Sequence, residues 1–461
     1  MLRVLLAVSL AATVAAPVFS ETVVPESIEE IRLSFAPVVK RTAPAVVNIF
    51  ANRVVASNLS PFSKDPFFRQ FFEFFGSGRP RVQNSLGSGV IVSADGIVVS
   101  NHHVVGDSTD IRVVLSDRRE FDAEVVMSDD GSDIALLRLR GAENLPALQF
   151  RDSDEIEVGE LVLAIGNPFG VGQTVSSGIV SGVARLGALT GNERGYFIQT
   201  DAAINPGNSG GALVGMDGRL LGVNTSILTR SGGSNGIGFA IPSNLVAKLV
   251  EQAQAGKADF ERPWAGIAGK AVDFDMAEVM DMDRPRGMII DEIHPESPFA
   301  RSGLRAGDVV MSLDGRKVDA AQEMLYRMSV SGIGESVEVV YLRSGDERTA
   351  IVEMELPPEI PESDVGRIGG EGPLRGLVVA NANPALIVEA NLPLRTEGVV
   401  VTGVERSSRW LHLQPGDILR KINGNRVKNA RGVRRIARRN ADHWVVEFER
   451  EGRRHTLRIG S

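Results

Sequence analysis

The chain of 461 residues has no cysteine. No disulfide can staple it, no thiolate can serve as a nucleophile, and no thiolate metal site can form. Aromatic residues are few, at 5%, while glycine is abundant, at 49 residues, a balance that favours many short strands joined by turns. Positive charge is in deficit: 50 Lys and Arg face 58 Asp and Glu, for a formal net charge of −8. Such a chain is not a general nucleic-acid binder. Long apolar runs are missing beyond the amino terminus, so no later stretch is expected to span a bilayer. The one apolar run, Val4 to Ala16, follows the lone charge of Arg3 and precedes Val18-Phe19-Ser20. It is short for a span and reads as an export signal over residues 1–20, removed on secretion. Its loss takes one arginine and no acid, leaving −9. No metal or organic cofactor site is visible.

With 43% hydrophobic and 23% charged residues the chain is folded material, and its length calls for two to four domains. Residues 21–256 read as one unit. Ala45–Phe50 is the first strand expected, and Phe67, Phe68, Phe71, Phe72 and Phe75 follow helical spacing, a helix covering the core or a contact between subunits. From Leu86 onward the pattern is all β. A hairpin turns at Ala94-Asp95-Gly96, short strands follow to Ile241, and Ser243–Ala255 reads as a closing helix capped by Ser243. Beyond Gly256, two segments match at a constant offset of 109. They are Gly307-Asp308-Val309-Val310-Met311-Ser312-Leu313-Asp314-Gly315 and Gly416-Asp417-Ile418-Leu419-Arg420-Lys421-Ile422-Asn423-Gly424. A module is therefore duplicated, at 262–356 and 374–461, with a Pro-, Glu- and Gly-rich linker at 357–373.

The chemistry centres on Thr200-Asp201-Ala202-Ala203-Ile204-Asn205-Pro206-Gly207-Asn208-Ser209-Gly210-Gly211. Taken alone this is a glycine-rich turn. A serine becomes a nucleophile when a base removes its proton and backbone amides receive the oxyanion it creates. His103, in Ser100-Asn101-His102-His103-Val104-Val105, and Asp133, in Ser132-Asp133-Ile134-Ala135-Leu136-Leu137, supply a base and an orienting acid. Asp133 alone could be a turn-capping aspartate. The order His, Asp, Ser is that of a chymotrypsin-type triad.

These motifs, with Gly166-Asn167-Pro168-Phe169-Gly170 and Gly236-Ile237-Gly238-Phe239-Ala240-Ile241-Pro242, resemble those of the HtrA (Deg/Do) serine proteases across nearly the whole chain. The family's usual Asn before the last His of the first motif is His102 here. The resemblance implies a mainly β protein, a trypsin-like double β-barrel followed by two PDZ domains. It also implies an ATP-independent endopeptidase of the periplasm that degrades unfolded or damaged envelope proteins, with trimers as the building unit. On this reading His103 deprotonates Ser209, Asp133 holds the imidazole, and the N–H groups of Gly207 and Ser209 flank Asn208 as the oxyanion hole. Ile204, Thr225, Ser226 and Ile227 line the primary pocket, which, without an acid, takes small aliphatic residues.

Trp264-Ala265-Gly266-Ile267 sits where a PDZ domain receives a peptide's terminal carboxylate, the peptide adding as a strand. The second copy, opening Leu374-Arg375-Gly376-Leu377, departs from the first. Arg301-Ser302-Gly303-Leu304 becomes Arg409-Trp410-Leu411-His412-Leu413, without the glycine. Arg431, Arg434, Arg435 and Arg438 form a basic helical face, either solvated or a docking surface for an acidic neighbour subunit, client or anionic lipid. The expected partners are unfolded proteins and C-terminal peptides, with at most peripheral membrane contact. The rival function is a holding chaperone or PDZ scaffold with a resting triad. A signalling protease would more usually keep its anchor and carry one PDZ copy.

Overall fold

The structure, a computed structural model, describes residues 34–54, 82–106, 108, 110–167, 172–186, 195–205, 207–227, 234–370, 372–438 and 443–460. The expected export signal and the phenylalanine-rich stretch lie outside these residues. Among the described residues no helix is long and apolar enough to cross a membrane.

A short helix, α1 (Ala36–Thr42), leads into the first barrel. Its strands are β1 (Val46–Val54), β2 (Val82–Ile91), β3 (Ile97–Ser100), β4 (Asp110–Val114), β5 (Glu120–Asp129) and β6 (Ile134–Leu139), with one helical turn, α2 (His102–Val105), after β3. They close in the order β1-β2-β3-β6-β5-β4, every pair antiparallel. The second barrel repeats the plan with β7 (Leu161–Gly166), β8 (Thr174–Leu186), β9 (Tyr196–Thr200), β10 (Ala212–Gly215), β11 (Leu220–Ile227) and β12 (Gly238–Pro242), closing as β10-β11-β12-β9-β8-β7. The hairpin at Ala94-Asp95-Gly96 is present, and Gly96 takes φ +96°, which its lack of a side chain allows. Alternation decides which side chains fill each barrel. In β4, Ile111 and Val113 are buried while Asp110 and Arg112 face water.

Helix α3 (Ser243–Gln254) closes the second barrel, burying Leu245, Val246, Leu249 and Val250. Ser243 is its first helical residue and not its cap. The cap position is Pro242, and the Ser243 hydroxyl instead donates to the Arg151 carbonyl at 2.5 Å. That bond ties the helix to the loop between the barrels, which serves packing better than an end cap would.

The duplicated modules follow. The first contains β13 (Ile267–Ala271), α4 (Phe274–Val279), β14 (Met288–Ile293), α5 (Pro298–Arg301), β15 (Val309–Leu313), β16 (Arg316–Lys317), α6 (Ala321–Ser331), β17 (Ser336–Arg343) and β18 (Asp346–Glu353). The second contains β19 (Gly366–Arg367), β20 (Leu377–Asn381), α7 (Pro384–Glu389), β21 (Val399–Val404), β22 (Ile418–Ile422), β23 (Asn425–Arg426), α8 (Ala430–Ile436), β24 (His443–Arg450) and β25 (Arg453–Gly460). Their sheets run β13-β14-β15-β17-β18 and β19-β20-β21-β22-β24-β25, and a short strand pairs alongside β15 in one and β22 in the other. The repeat is thus complete, and the second copy carries one extra edge strand drawn from the expected linker. Where the sequence has no counterpart for Gly303, at φ +94°, the backbone keeps the turn, with His412 at φ +56°.

The first module docks on the second barrel through α6. Tyr326 stacks on Tyr196 with ring centroids 3.9 Å apart and interplanar angle 12°. Arg327 donates to the Tyr196 hydroxyl at 3.1 Å and pairs with Asp154. Burial pushes the Tyr196 hydroxyl up to about 12, so the stack stays neutral at physiological pH.

Candidate active site

The strand register delivers the first two groups. Ser100 at the end of β3 lies opposite Ala135 in β6, so the residues just past β3 and just before β6 share one edge of the first barrel. Asp133 holds that corner with φ +56°, a left-handed conformation that aspartate tolerates better than most side chains. Its carbonyl accepts from Asn101 Nδ2 at 2.9 Å and from the His102 N–H at 3.1 Å. Its carboxylate accepts from the His103 N–H at 3.1 Å and from His103 Nδ1 at 2.8 and 2.9 Å. Both side chains are enclosed, at 8% and 9% exposure.

Burial alone would push the Asp133 carboxyl up. The charge of His103 and the hydrogen bonds from His103 and Thr225 outweigh it and hold the group below the usual carboxylate range. An ionised carboxylate only accepts, so Nδ1 carries the imidazole hydrogen and Nε2 is the nitrogen that can take a proton. His102, the neighbour that departs from the family pattern, turns its ring the other way. Its Nδ1 lies 2.7 Å from Ser128 Oγ and its Nε2 3.6 Å from Asp130.

The second barrel delivers Ser209 just before β10. Gly207 at φ +95° and Gly210 at φ +81° bracket it, and a Cβ on Gly210 would run into the Ser88 carbonyl and the Ser100 hydroxyl. That crowding is the physical reason for glycine there. Ser88, on β2 of the first barrel and wholly buried, organises the loop. Its hydroxyl donates to the Gly207 carbonyl at 2.6 Å and accepts from the Asn167 N–H at 2.8 Å, while its own N–H donates to the Ser209 carbonyl at 2.9 Å. Ser100 Oγ in turn donates to the Ser88 carbonyl at 2.7 Å. Among the described residues the N–H groups of Gly207 and Ser209 have no acceptor, whereas Asn208, between them, donates its N–H to the Asn205 carbonyl at 2.9 Å.

Thr225 joins the two halves. Its hydroxyl donates to Asp133 Oδ2 at 2.6 Å, and its carbonyl accepts from Ser209 Oγ at 3.0 Å. Thr225, assigned from sequence to a pocket wall, is therefore turned to the acid. Ile204 is 2% exposed in the core of the second barrel, where its side chain abuts Gly238. Ser226 and Ile227 lie on β11, the strand that carries Thr225. Sequence reasoning missed Ser88 and Ser100. The available signal was Gly87-Ser88-Gly89, a polar residue between two glycines just ahead of the apolar Val90-Ile91 end of β2.

Two antiparallel barrels that meet along a polar seam, with imidazole and carboxylate on one lip and a bracketed serine on the other, make a chymotrypsin-like serine protease. Here it is followed by duplicated PDZ modules. Residues 87–223 match the Trypsin-like peptidase domain and residues 271–354 the PDZ domain. The chain is 36% identical over 427 residues to the periplasmic serine endoprotease DegP of Escherichia coli strain K12, covering 87% of each chain. It is 36% identical over 411 residues to the periplasmic pH-dependent serine endoprotease DegQ of the same strain, covering 87% of this chain and 86% of that one. Among solved structures, the HtrA-type protease AlgW with decapeptide superposes with TM-score 0.52 at 40% identity, over 71% of this chain and 99% of that one. The chain belongs to the HtrA family of DegP-like serine endoproteases.

Trp264, Ala265, Gly266 and Ile267 lie together at the mouth of the first module. Gly266 takes φ +62°, and β13, which follows it, has β14 on one side and among the described residues no strand on the other. A cavity of about 390 Å³ opens beside them, walled by Leu325 and Ser329 of α6 and by Ile387 and Leu392 from the second module. The basic helix of the second module is less solvated than its pattern suggests. Arg434 donates to the Asp364 carbonyl at 2.9 Å and to its carboxylate at 2.6 Å, and Arg431 lies 3.9 Å from the same acid.

Proposed function

We propose that this protein is an exported, periplasmic endopeptidase in which Ser209 attacks the scissile carbonyl, His103 Nε2 takes its proton, and Asp133 holds the imidazole and stabilises its charged form. The N–H groups of Gly207 and Ser209 receive the oxyanion. One observation carries the reading. A single carboxylate, Asp133, is bonded at once to His103 Nδ1 and to Thr225, the residue whose carbonyl receives the Ser209 hydroxyl. Rotation about the Ser209 Cα–Cβ bond exchanges the Thr225 carbonyl for Nε2. The serine bonded to a carbonyl is then a resting form, and substrate engagement supplies the turn. The substrates are unfolded or damaged envelope proteins, and the working unit is a trimer. The first PDZ module, through Trp264, Ala265, Gly266 and Ile267, takes C-terminal peptides as an added strand on β13. A pocket beside β11, the strand of Thr225, Ser226 and Ile227, favours small aliphatic residues before the cleaved bond, with Ile204 behind it in the barrel core and the Thr225 hydroxyl turned away to Asp133.

Casein digestion tests the first claim. Ser209→Ala is expected to lower turnover by about 10⁴-fold or more, as loss of a triad serine does elsewhere. A wild-type protein that leaves casein intact, both as trimer and in larger assemblies, favours the rival reading of a chaperone or scaffold with a resting triad. Peptides with Val or Ala before the scissile bond should be cleaved in preference to Lys or Arg; the reverse order ends the pocket assignment. Native mass measurement with and without an unfolded client reads the assembly.

A further inference from the structure

The peptide groove of the second PDZ module already holds a strand. Residues 361–368, in the segment expected to be a plain linker, run along β20 on the side that is open in β13. Gly366 and Arg367 form β19, antiparallel to β20, opposite Val379 and Val378. Past that pair the Ile368 N–H donates to the Leu377 carbonyl at 2.8 Å, and the Gly376 N–H donates to the Ile368 carbonyl at 2.9 Å. Gly376 is the counterpart of Gly266, so the amide that would receive a carboxylate in the first module receives a chain carbonyl in the second. The Ile368 side chain, 1% exposed, belongs to the same buried cluster as Leu374, Leu377, Val433 and Ala437, as a terminal aliphatic residue of an added peptide would.

Upstream the fit continues. The Asn381 N–H donates to the Ser363 carbonyl at 2.7 Å, Asn381 Nδ2 to the Glu362 carbonyl at 2.8 Å, and Asn383 Nδ2 to the Pro361 carbonyl at 2.8 Å. Arg434 on α8 grips Asp364 from the opposite wall, and a Cβ on Gly366 would collide with the Arg434 side chain. The segment is thus enclosed between strand and helix, as an added peptide would be. Gly369 and Gly370, the latter at φ +93°, then lead the chain away from the groove.

We propose that residues 361–368 are a built-in ligand of the second module, closing its groove to free C-termini and leaving the first module as the open one. The inference rests on the reading of these modules as receptors for added strands. A tethered strand presents itself at roughly millimolar effective concentration, so a free peptide at about 10 μM competes at a disadvantage of about 100-fold.

The probe is a labelled decapeptide of the chain's own residues 359–368, Glu-Ile-Pro-Glu-Ser-Asp-Val-Gly-Arg-Ile, ending in a free carboxylate. It is titrated into the full chain carrying Ser209→Ala, and into the same chain with 362–368 replaced by alternating Gly and Ser. The replacement is expected to gain one bound peptide per chain over its parent. If the first module does not bind peptide, the counts become zero and one, and the gain remains. A folded replacement with no gain overturns the proposal. Should the replacement fail to fold, hydrogen exchange of the parent decides. The Ile368, Gly376 and Asn381 amides are expected to exchange at least 100-fold more slowly than in an unstructured peptide; free exchange overturns the proposal.

Discussion

Asp308 in the first PDZ module and Asp417 in the second are each 1% exposed, and each lies in the fork of an arginine. Arg343 reaches Asp308 at 2.7 Å through both Nε and Nη2, and Arg450 reaches Asp417 at 2.6 and 2.7 Å. Each arginine also donates to the carbonyl of a left-handed residue, Gly303 in one and His412 in the other, at 2.7 and 2.8 Å. Around this shared frame the surfaces have opposite character. Residues 262–356 carry 18 acidic and 11 basic side chains, and residues 374–461 carry 8 acidic and 17 basic, so one module is −7 and the other +9. The edges differ as well: among the described residues no strand lies on the outer side of β13, whereas β20 is covered by β19. A duplicated fold has kept what its core needs, buried charge with its partner, and changed what its surroundings read. Surface charge sets partners and steering and leaves the fold alone.

The largest test of this equivalence is to remove the arginines. Arg343→Met and Arg450→Met each leave a carboxylate in the interior without its partner, a change that costs about 3–5 kcal/mol. Module-resolved hydrogen exchange under increasing urea should show each variant destabilising its own module by that order. A loss in one module with indifference in the other would break the structural equivalence of the two pairs.

Much of this architecture was legible in the residues, and the exceptions have physical causes. The offset of 109 found the repeat because Gly-Asp and Asp/Asn-Gly turns are fixed by backbone geometry. The order of His103, Asp133 and Ser209 pointed to the proposed site because the chemistry requires those residue types. Ser88 and Thr225 were not found as organisers, since a serine or threonine in a strand gains meaning only from what faces it across the seam between the barrels, here Gly207 and Asp133. Residues 361–368 looked like a linker because composition reports Pro, Glu and Gly, whereas their order comes from partners on β20 and α8 far along the chain. Arg434 looked like one of four similar arginines until the fold brought Asp364 to it, 70 positions away.

A middle-sized effect separates the two edges. Gly266 and Gly376 both occupy left-handed backbone, at φ +62° and +83°, where a β-branched residue is strained by about 1–3 kcal/mol. Gly266→Val and Gly376→Val should therefore lower stability alike. Peptide affinity should fall tenfold or more in the first variant, whose loop presents the receiving amide, and stay unchanged in the second, whose amide is already engaged by Ile368. Calorimetric titration of both with a decapeptide ending in a free aliphatic residue checks the split. Equal loss of affinity in the two variants would mean that both grooves are in use.

The smallest effect comes from a position where the modules differ inside the frame. Glu323, in the first turn of α6, is 9% exposed and accepts from the Asp319 N–H at 3.0 Å; its counterpart on α8 is Gly432. Burial raises the Glu323 carboxyl above its ordinary value, against the pull of the Asp319 N–H and of Arg327. A raised acid binds its proton more tightly in the folded state. Stability is then greatest below the ordinary glutamate value of about 4.3 and declines as pH rises through the raised folded one. Above that window the ionised group is a standing burden. Glu323→Gln keeps an oxygen for the Asp319 N–H and removes the charge, so it should stabilise the first module at pH 7 by on the order of 0.5 kcal/mol. The gain should shrink as the pH is lowered below the ordinary glutamate value of about 4.3, where the side chain takes up its proton in the folded and unfolded chain alike. The second module has no acid at that position and supplies the internal control: its stability should be the same in both proteins at every pH. A gain that persists unchanged at low pH would trace the effect to packing and not to the charge.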